Sequence, residues 1–441
     1  VLPGLTQLVE AGDGLVLLSH LGRPKGQQMP QFSLQPVRDY LSAALGYTVP
    51  LLTGLDDAAR PAAGQMVMLE NLRFWAAEEA NDEGFAAQLA TLGDVYVNDA
   101  FSCAHRAHAS THALARHLPA FAGPVMAAEL QALGAALDQP QRPVAAVVGG
   151  AKVSTKLAVL THLIDKVDRL LLGGGMANTF LAAKGVDMGA SLMEADLVDT
   201  AAEIIAAADK KGRQLFLPED GLAATEFKAG AAHRQIPNSA ILATEMMLDI
   251  GPNAISHYQQ ALAGVRTVLW NGPMGAFEIA PFDTATVALA RAVAKATEAG
   301  GLLSVAGGGD TVAALNHAGV TDKFSYVSLA GGAFLEYIEG KTLPGIAVLA
   351  KLPIFEGRQI IFGEERSACS SQTHLNHVCP PKQRPWTGER SLYCRHSLMR
   401  CMAVLCCRRS LMVRSPFIWG WAVSGEQNGC SGSWMGSGQP R

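Results

Sequence analysis

Cysteine is almost absent from most of this 441-residue chain: ahead of Lys351 only Cys103 occurs. A lone thiol builds no structural disulfide, so a reducing, cytoplasmic setting is expected. Charge is sparse as well. Asp, Glu, Lys and Arg make up 17% of the residues, below the usual share of about 25%. With 35 Lys and Arg against 39 Asp and Glu the formal charge is -4, which supplies no basic field for nucleic acid or an anionic membrane. No uninterrupted apolar run approaches the ~18 residues of a spanning helix. The opening residues carry no charged segment followed by an apolar one, so they do not read as a signal peptide. Apolar residues reach 49%, which excludes a disordered chain. Length suggests two or three domains.

The averages hide a join. Seven of the eight cysteines follow Lys351: Cys369, Cys379, Cys394, Cys401, Cys406, Cys407 and Cys430. Four of the six tryptophans do too. Residues 353–441 hold 11 Lys and Arg against 5 Asp and Glu, so a basic tail follows an acidic body. The tail shows no strand or helix repeat and no Cys-x-x-Cys pair. Cys369, His374, His377 and Cys379 have no common structural zinc spacing.

The body alternates short apolar runs with amphipathic stretches. Leu2, Leu5, Leu8 and Val9 have helical spacing. Strands are expected at Leu15–Leu18, Val49–Leu52, Met66–Leu69 and Val95–Asn98. Further strands are expected at Val144–Val148, Arg169–Leu172, Gln214–Leu217, Thr267–Trp270, Leu302–Ala306 and Ser325–Ser328. Helices are expected at Pro36–Leu45, Glu83–Leu92, Ser154–Val167 and Phe282–Ala299, with Val125–Leu137 joining two halves. This alternation predicts an α/β protein with parallel sheets covered on both faces.

In such sheets ligands sit beyond the C-terminal ends of the strands. Three strand-end turns of the first half carry Arg: Ser19–Pro24 with Arg23, Glu70–Phe74 with Arg73, and Asn98–His108 with Arg106. Two of them carry His. Any one Arg alone reads as a surface charge. Three converging guanidiniums call for an anion, most simply a small phosphorylated carboxylate.

Five turns of the second half are rich in glycine: Gly149–Lys156, Gly173–Met176, Asn271–Gly275, Gly307–Thr311 and Ala330–Ala333. One such turn can serve tight packing alone. Five predict backbone N–H groups offered to a nucleotide's phosphates. None is a Walker A loop, and none is a full Gly-x-Gly-x-x-Gly with an acidic partner. Lys152 and Lys156, four apart, are expected on one face of a new helix. Asp310 could hold Mg²⁺ or simply cap a helix. Glu278 could accept ribose hydroxyls or be merely exposed. No Ser-His-Asp set and no His-Glu-x-x-His occurs. An anionic acceptor needs no general base.

SHLGRP at 19–24, LENLRF at 69–74, NDAFSCAHRAHAS at 98–110, GGAKVSTK at 149–156, GGGMANTF at 173–180, NGPMGAFE at 271–278 and GGGDT at 307–311 resemble phosphoglycerate kinase in order and spacing. The resemblance covers residues 1–351. It implies two Rossmann-like three-layer αβα domains: 1–124 for phosphoglycerate, a joining helix 125–138, a nucleotide domain 139–328 and a return segment 329–352. It implies reversible transfer of the acyl phosphate of 1,3-bisphosphoglycerate to Mg-ADP, giving 3-phosphoglycerate and ATP, by a cytoplasmic monomer. The resemblance assigns His20, Leu21, Gly22, Arg23, Arg73 and Arg106 to phosphoglycerate. It assigns Lys152, Lys156, Gly174, Gly175, Asn271, Pro273, Glu278, Gly308, Gly309, Asp310 and Thr311 to nucleotide, with Asp310 on the metal. It gives Lys156, Gly331 and Gly332 to the transferring phosphoryl.

Three departures carry expectations. The family opens with a core strand, an Asp-Phe-Asn-x-Pro-like loop and an Arg that this sequence does not show. The first sheet is therefore expected to have unpaired inner edges, and turnover of the sequence as it stands is expected to be low. Leu329 stands where the family has a hydroxyl. Residues 353–441 match nothing in the family and are expected to be disordered or out of frame, their removal costing little. A nucleotide-binding protein without turnover is the alternative reading.

Overall fold

Apolar runs bounded by glycine and polar turns become the strands. The computed structural model describes residues 2–55, 60–349 and 403–407. In chain order the strands are β1 (Gly14–Leu18), β2 (Leu51–Leu52), β3 (Met66–Leu69), β4 (Val95–Asn98) and β5 (Ala120–Ala122). β6 (Val144–Val148), β7 (Arg169–Leu172), β8 (Gln214–Phe216), β9 (Asp220–Ala224) and β10 (His233–Pro237) follow. The last are β11 (Met246–Ile250), β12 (Thr267–Asn271), β13 (Leu303–Gly307), β14 (Tyr326–Ser328) and β15 (Ala403–Cys407).

The first sheet has the order β2-β3-β1-β15-β4-β5. β1 and β2 run parallel to β3, and β4 parallel to β5. β15 lies between β1 and β4, antiparallel to both, with Leu15 opposite Cys406 and Tyr96 opposite Leu405. Two expectations are corrected here. The tail does contribute a regular element, and the inner edges of β1 and β4 are paired. The physical reason is local. Two facing strand edges each present a row of N–H and C=O groups that must find partners. The run Ala-Val-Leu-Cys-Cys has no charge, Gly or Pro to prevent its extension. Either strand direction can complete the ladder. The cysteine and histidine set at 369–379 lies outside the described residues.

The second sheet, β14-β13-β12-β6-β7-β8, is parallel throughout. All five residues of β6 are buried, because helices cover both faces. The pleat sorts them. Val144, Ala146 and Val148 join one apolar cluster with Leu160 and Leu170, while Ala145 and Val147 join another with Leu171 and Tyr258.

Sequence periodicity missed β5 and the small antiparallel sheet β10-β9-β11. Four of the five β10 residues are exposed, so no apolar alternation marks it. The helix Pro124–Leu137 joins the two large sheets. Its Met126 N–H donates to Asp99 Oδ1 at 2.8 Å, and Tyr326 Oη donates to its Glu129 Oε2 at 2.5 Å. Later the chain returns: Leu343 packs in a core of the second sheet, and Val348 packs against the core of the first.

Candidate active site

Hydrogen bonds bring the three Arg-bearing turns of the first sheet together. Arg73, only 2% exposed, donates through Nη1 to the Gly22 carbonyl at 2.7 Å. Asn71 Nδ2 donates to the Leu21 carbonyl at 2.7 Å. Those bonds fasten the Glu70–Phe74 turn to the Ser19–Pro24 turn. The third turn joins through Cys103, whose Sγ lies 3.7 Å from Nε2 of the buried His20. Arg106, half-buried, donates from Nε to His105 Nε2 at 3.1 Å. Arg23 is exposed.

This edge is cationic through its guanidiniums. Burial pushes His105 and His108 down to about 4, helped by the charges of Arg106 and Arg73. Both rings are therefore neutral near pH 7. Burial also lowers Arg73, and among the described residues its Nη2 has no hydrogen-bond partner. A buried guanidinium with an unused donor is suited to an anion.

The second edge is built from backbone. Lys156 Nζ donates to the Asn271 carbonyl at 2.8 Å. Burial lowers its amine to about 8, and the nearby Asp310 opposes the shift. Two glycines fix this corner. Gly272 has φ +104, and a Cβ there would lie 2.2 Å from the Gly149 carbonyl oxygen. Gly308 has φ +100, and a Cβ there would lie 2.7 Å from Asn271 Nδ2. Asn271 Nδ2 donates to the Gly307 carbonyl at 2.7 Å, and Gly272 N–H donates to Thr311 Oγ1 at 2.7 Å. Asn271 and Thr311 are thus buried ties between strand ends. Asp310 and Gly309 are exposed at the start of the helix Gly309–Ala318.

One expectation about this edge needs correction. Lys152 and Lys156 do not share a helical face, since the helix begins only at Leu157 and Lys156 is its N-cap. The Ser154 N–H and hydroxyl bind Glu194 instead, at 2.9 and 2.5 Å, and hold the segment as turns. Four of the five glycine turns lead into helices, which begin at Leu157, Gly174, Gly309 and Gly332, whereas the helix after Asn271–Gly275 begins only at Thr284. Gly175 and Pro273 line the same corner: a Cβ on Gly175 would touch the Ala151 carbonyl at 2.7 Å, and a Cβ on Gly149 would overlap the Pro273 carbonyl. Glu278 is exposed, and so is Leu329, at 44%.

The two edges meet at one place. A Cβ on Gly332 would lie 3.3 Å from His105 Nε2, the atom that accepts from Arg106. A family model described as phosphoglycerate kinase matches residues 1–341. The chain belongs to the phosphoglycerate kinase family. It is 56% identical over 354 residues to the phosphoglycerate kinase of Zymomonas mobilis subsp. mobilis, covering 79% of this chain and 89% of that one. It is 56% identical over 357 residues to the Azorhizobium caulinodans enzyme, covering 80% and 90%. Among solved structures, phosphoglycerate kinase from Coxiella burnetii superposes with a TM-score of 0.77 at 44% identity, covering 79% of this chain and 89% of that one. The Pyrococcus horikoshii OT3 enzyme gives 0.66 at 29% identity over the same shares.

Three site residues escaped the sequence reading. His105 and His108 lay inside a quoted motif, but nothing in their spacing told which ring would face the second sheet. Leu192, 54% exposed, has Cδ2 3.2 Å from where a Gly175 Cβ would stand. It offers this phosphoglycerate kinase family member an apolar surface beside the glycines.

Among the described residues no group of three or more His, Cys, Asp or Glu could hold a metal alone. One exposed carboxylate, Asp310, beside the glycine-lined corner is a donor of the kind that fits Mg²⁺, a cation that keeps waters and needs few protein ligands.

Proposed function

We propose that this chain catalyses reversible transfer of the acyl phosphate of 1,3-bisphosphoglycerate to Mg-ADP, giving 3-phosphoglycerate and ATP. The observation that carries this reading is the pairing of two unlike anion sites. One edge offers guanidiniums, and the other offers glycine backbone and a desolvated amine, with His105 facing Gly332 between them.

On the first edge Arg23, Arg73 and Arg106 hold the phosphate and carboxylate of phosphoglycerate, with His20, Leu21 and Gly22 shaping the turn. On the second, Gly174, Gly175, Gly308 and Gly309 bring backbone to the nucleotide. Lys152, Pro273 and Glu278 border it. Asp310 would hold Mg²⁺, which neutralises phosphate charge when bound. Asn271 and Thr311 keep the corner in shape. Both reacting oxygens are anionic, so no residue has to remove a proton. Lys156, with the N–H groups at Gly331 and Gly332, stabilises charge on the phosphoryl in flight. We assign residues 1–124 to phosphoglycerate, 125–138 to the joining helix, 139–328 to nucleotide and 329–352 to the return. The working form is a cytoplasmic monomer. Among the described residues no helix is long and apolar enough to cross a membrane.

Calorimetry separates the two edges. Arg106→Ala is expected to weaken 3-phosphoglycerate binding by about 1.5–3 kcal/mol, the worth of a charge-assisted contact, and Arg23→Ala to weaken it in the same direction. Both should leave Mg-ADP affinity unchanged. Asp310→Ala should do the reverse. Equal loss of both ligands in any of these variants would contradict the assignment.

A further inference from the structure

Glu78 lies outside every motif discussed above, yet it is completely buried beside the cationic edge. It belongs to the short helix Ala76–Glu79, just after the turn that carries Arg73. Its Oε1 accepts from Ser110 Oγ at 2.6 Å and its Oε2 from the Ser110 N–H at 3.0 Å. Ser110 lies two residues beyond His108, in the π-helical segment Ala109–Ala113. That segment follows directly on the turn that carries His105 and Arg106. Thr111 Oγ1 ties it back, donating to the Arg106 carbonyl at 3.4 Å.

A buried carboxylate is costly, so its partners have to be good. Here both oxygens are used on a single residue of another turn. We propose that Glu78 is a positioning residue for phosphoglycerate, clamping Ser110 so that the His105–His108 turn keeps Arg106 in register with Arg73. This rests on the assignment of that edge to phosphoglycerate.

Among the described residues the groups facing Glu78 are Arg73 and Glu79 from its own stretch, His108 Nδ1 at 4.0 Å and Ser110 from the third turn, and Tyr96 from β4. Burial raises Glu78 to about 7 against the pull of the Ser110 bonds and Arg73. The clamp needs two acceptor oxygens. Below about pH 7 one of them carries a proton and the clamp loosens. Between the ordinary carboxyl range and pH 7 the folded chain holds a proton that the unfolded chain has released. The group's contribution to stability therefore falls as pH rises through that interval. Glu78→Gln removes that fall, so it is not expected to unfold the chain at neutral pH.

The test is Glu78→Gln in the full chain, read by calorimetry with 3-phosphoglycerate and with Mg-ADP between pH 6 and 8. At pH 8, 3-phosphoglycerate affinity should fall about tenfold, with Mg-ADP affinity unchanged. Wild-type affinity for 3-phosphoglycerate should converge on that of the variant as pH falls. Ser110→Ala should give a smaller loss in the same direction. Amide exchange at Ser110 should speed up in Glu78→Gln even without ligand. Unchanged 3-phosphoglycerate affinity and exchange in the variant would overturn the inference alone. An equal loss of both ligands would make Glu78 a folding residue and overturn it too. If the wild-type chain bound no 3-phosphoglycerate at any pH, the assignment of the edge would fall and the inference with it.

Discussion

Lys156→Met is expected to lower kcat by about 10²–10³-fold, the usual cost of losing one preorganised transition-state donor, while the thermal midpoint of the unliganded chain holds or rises. The two halves of this expectation have one cause. Lys156 Nζ is held on the Asn271 carbonyl in a corner too tight to solvate it, and burial lowers its amine to about 8. Between pH 8 and the ordinary lysine range the unfolded chain binds a proton that the folded chain has lost, so stability rises with pH there. At pH 7 the burial of the charge is a cost to the fold, and methionine removes it. The same charge serves the phosphoryl group in flight, so removing it slows the reaction. In the wild type kcat should decline as pH rises above about 8. Lys156→Arg should not rescue, because a planar fork cannot replace a compact ammonium where a mere Cβ on Gly272 would already stand 2.6 Å from Nζ. A variant that lost midpoint and kcat together would place Lys156 in packing rather than in transfer.

Removal of residues 353–441 is expected to unfasten the first sheet, which reverses the expectation drawn from the sequence alone. β15 is paired along five positions of β1 and three of β4. Each buried N–H or C=O left without a partner costs about 1–3 kcal/mol. A domain has about 5–15 kcal/mol in all, so a few such losses consume its margin. Amide exchange at Leu15–Leu18 and Val95–Val97 should accelerate strongly in the shortened chain. Exchange at Ala145–Val148 and Val268–Asn271, in the other sheet, should not. A peptide spanning residues 399–411, added in excess, should restore protection to the first set. Unchanged exchange after the deletion would show that β15 carries no weight in the sheet.

Strands buried on both faces were legible because they are unbroken apolar runs. Met66–Leu69, Val95–Asn98, Val144–Val148 and Arg169–Leu172 begin and end where periodicity placed them. The meeting of the three turns that carry Arg23, Arg73 and Arg106 also followed, since parallel strands deliver their C-terminal turns to one edge. Elements held by main-chain pairing escaped. β10 reads His-Arg-Gln-Ile-Pro, and β15 sits in a stretch without period. The lysine pair misled for a related reason. Helical spacing between Lys152 and Lys156 is real, but Glu194, 40 residues away, holds Ser154 in a turn. Likewise, the neutrality of His105 and His108 depends on burial and on guanidiniums from two turns, which spacing cannot express.

The central claim is that both edges belong to one reaction. The most direct measurement mixes the full chain in excess over 1,3-bisphosphoglycerate and Mg-ADP and follows ATP in a single turnover, so that even slow chemistry is seen. ATP should form only when both substrates are present, and its formation should be slowed about 10²–10³-fold in Lys156→Met and strongly slowed in Arg106→Ala. Mg-ADP bound at the glycine edge with no ATP formed would contradict the claim and leave a nucleotide-binding protein without turnover.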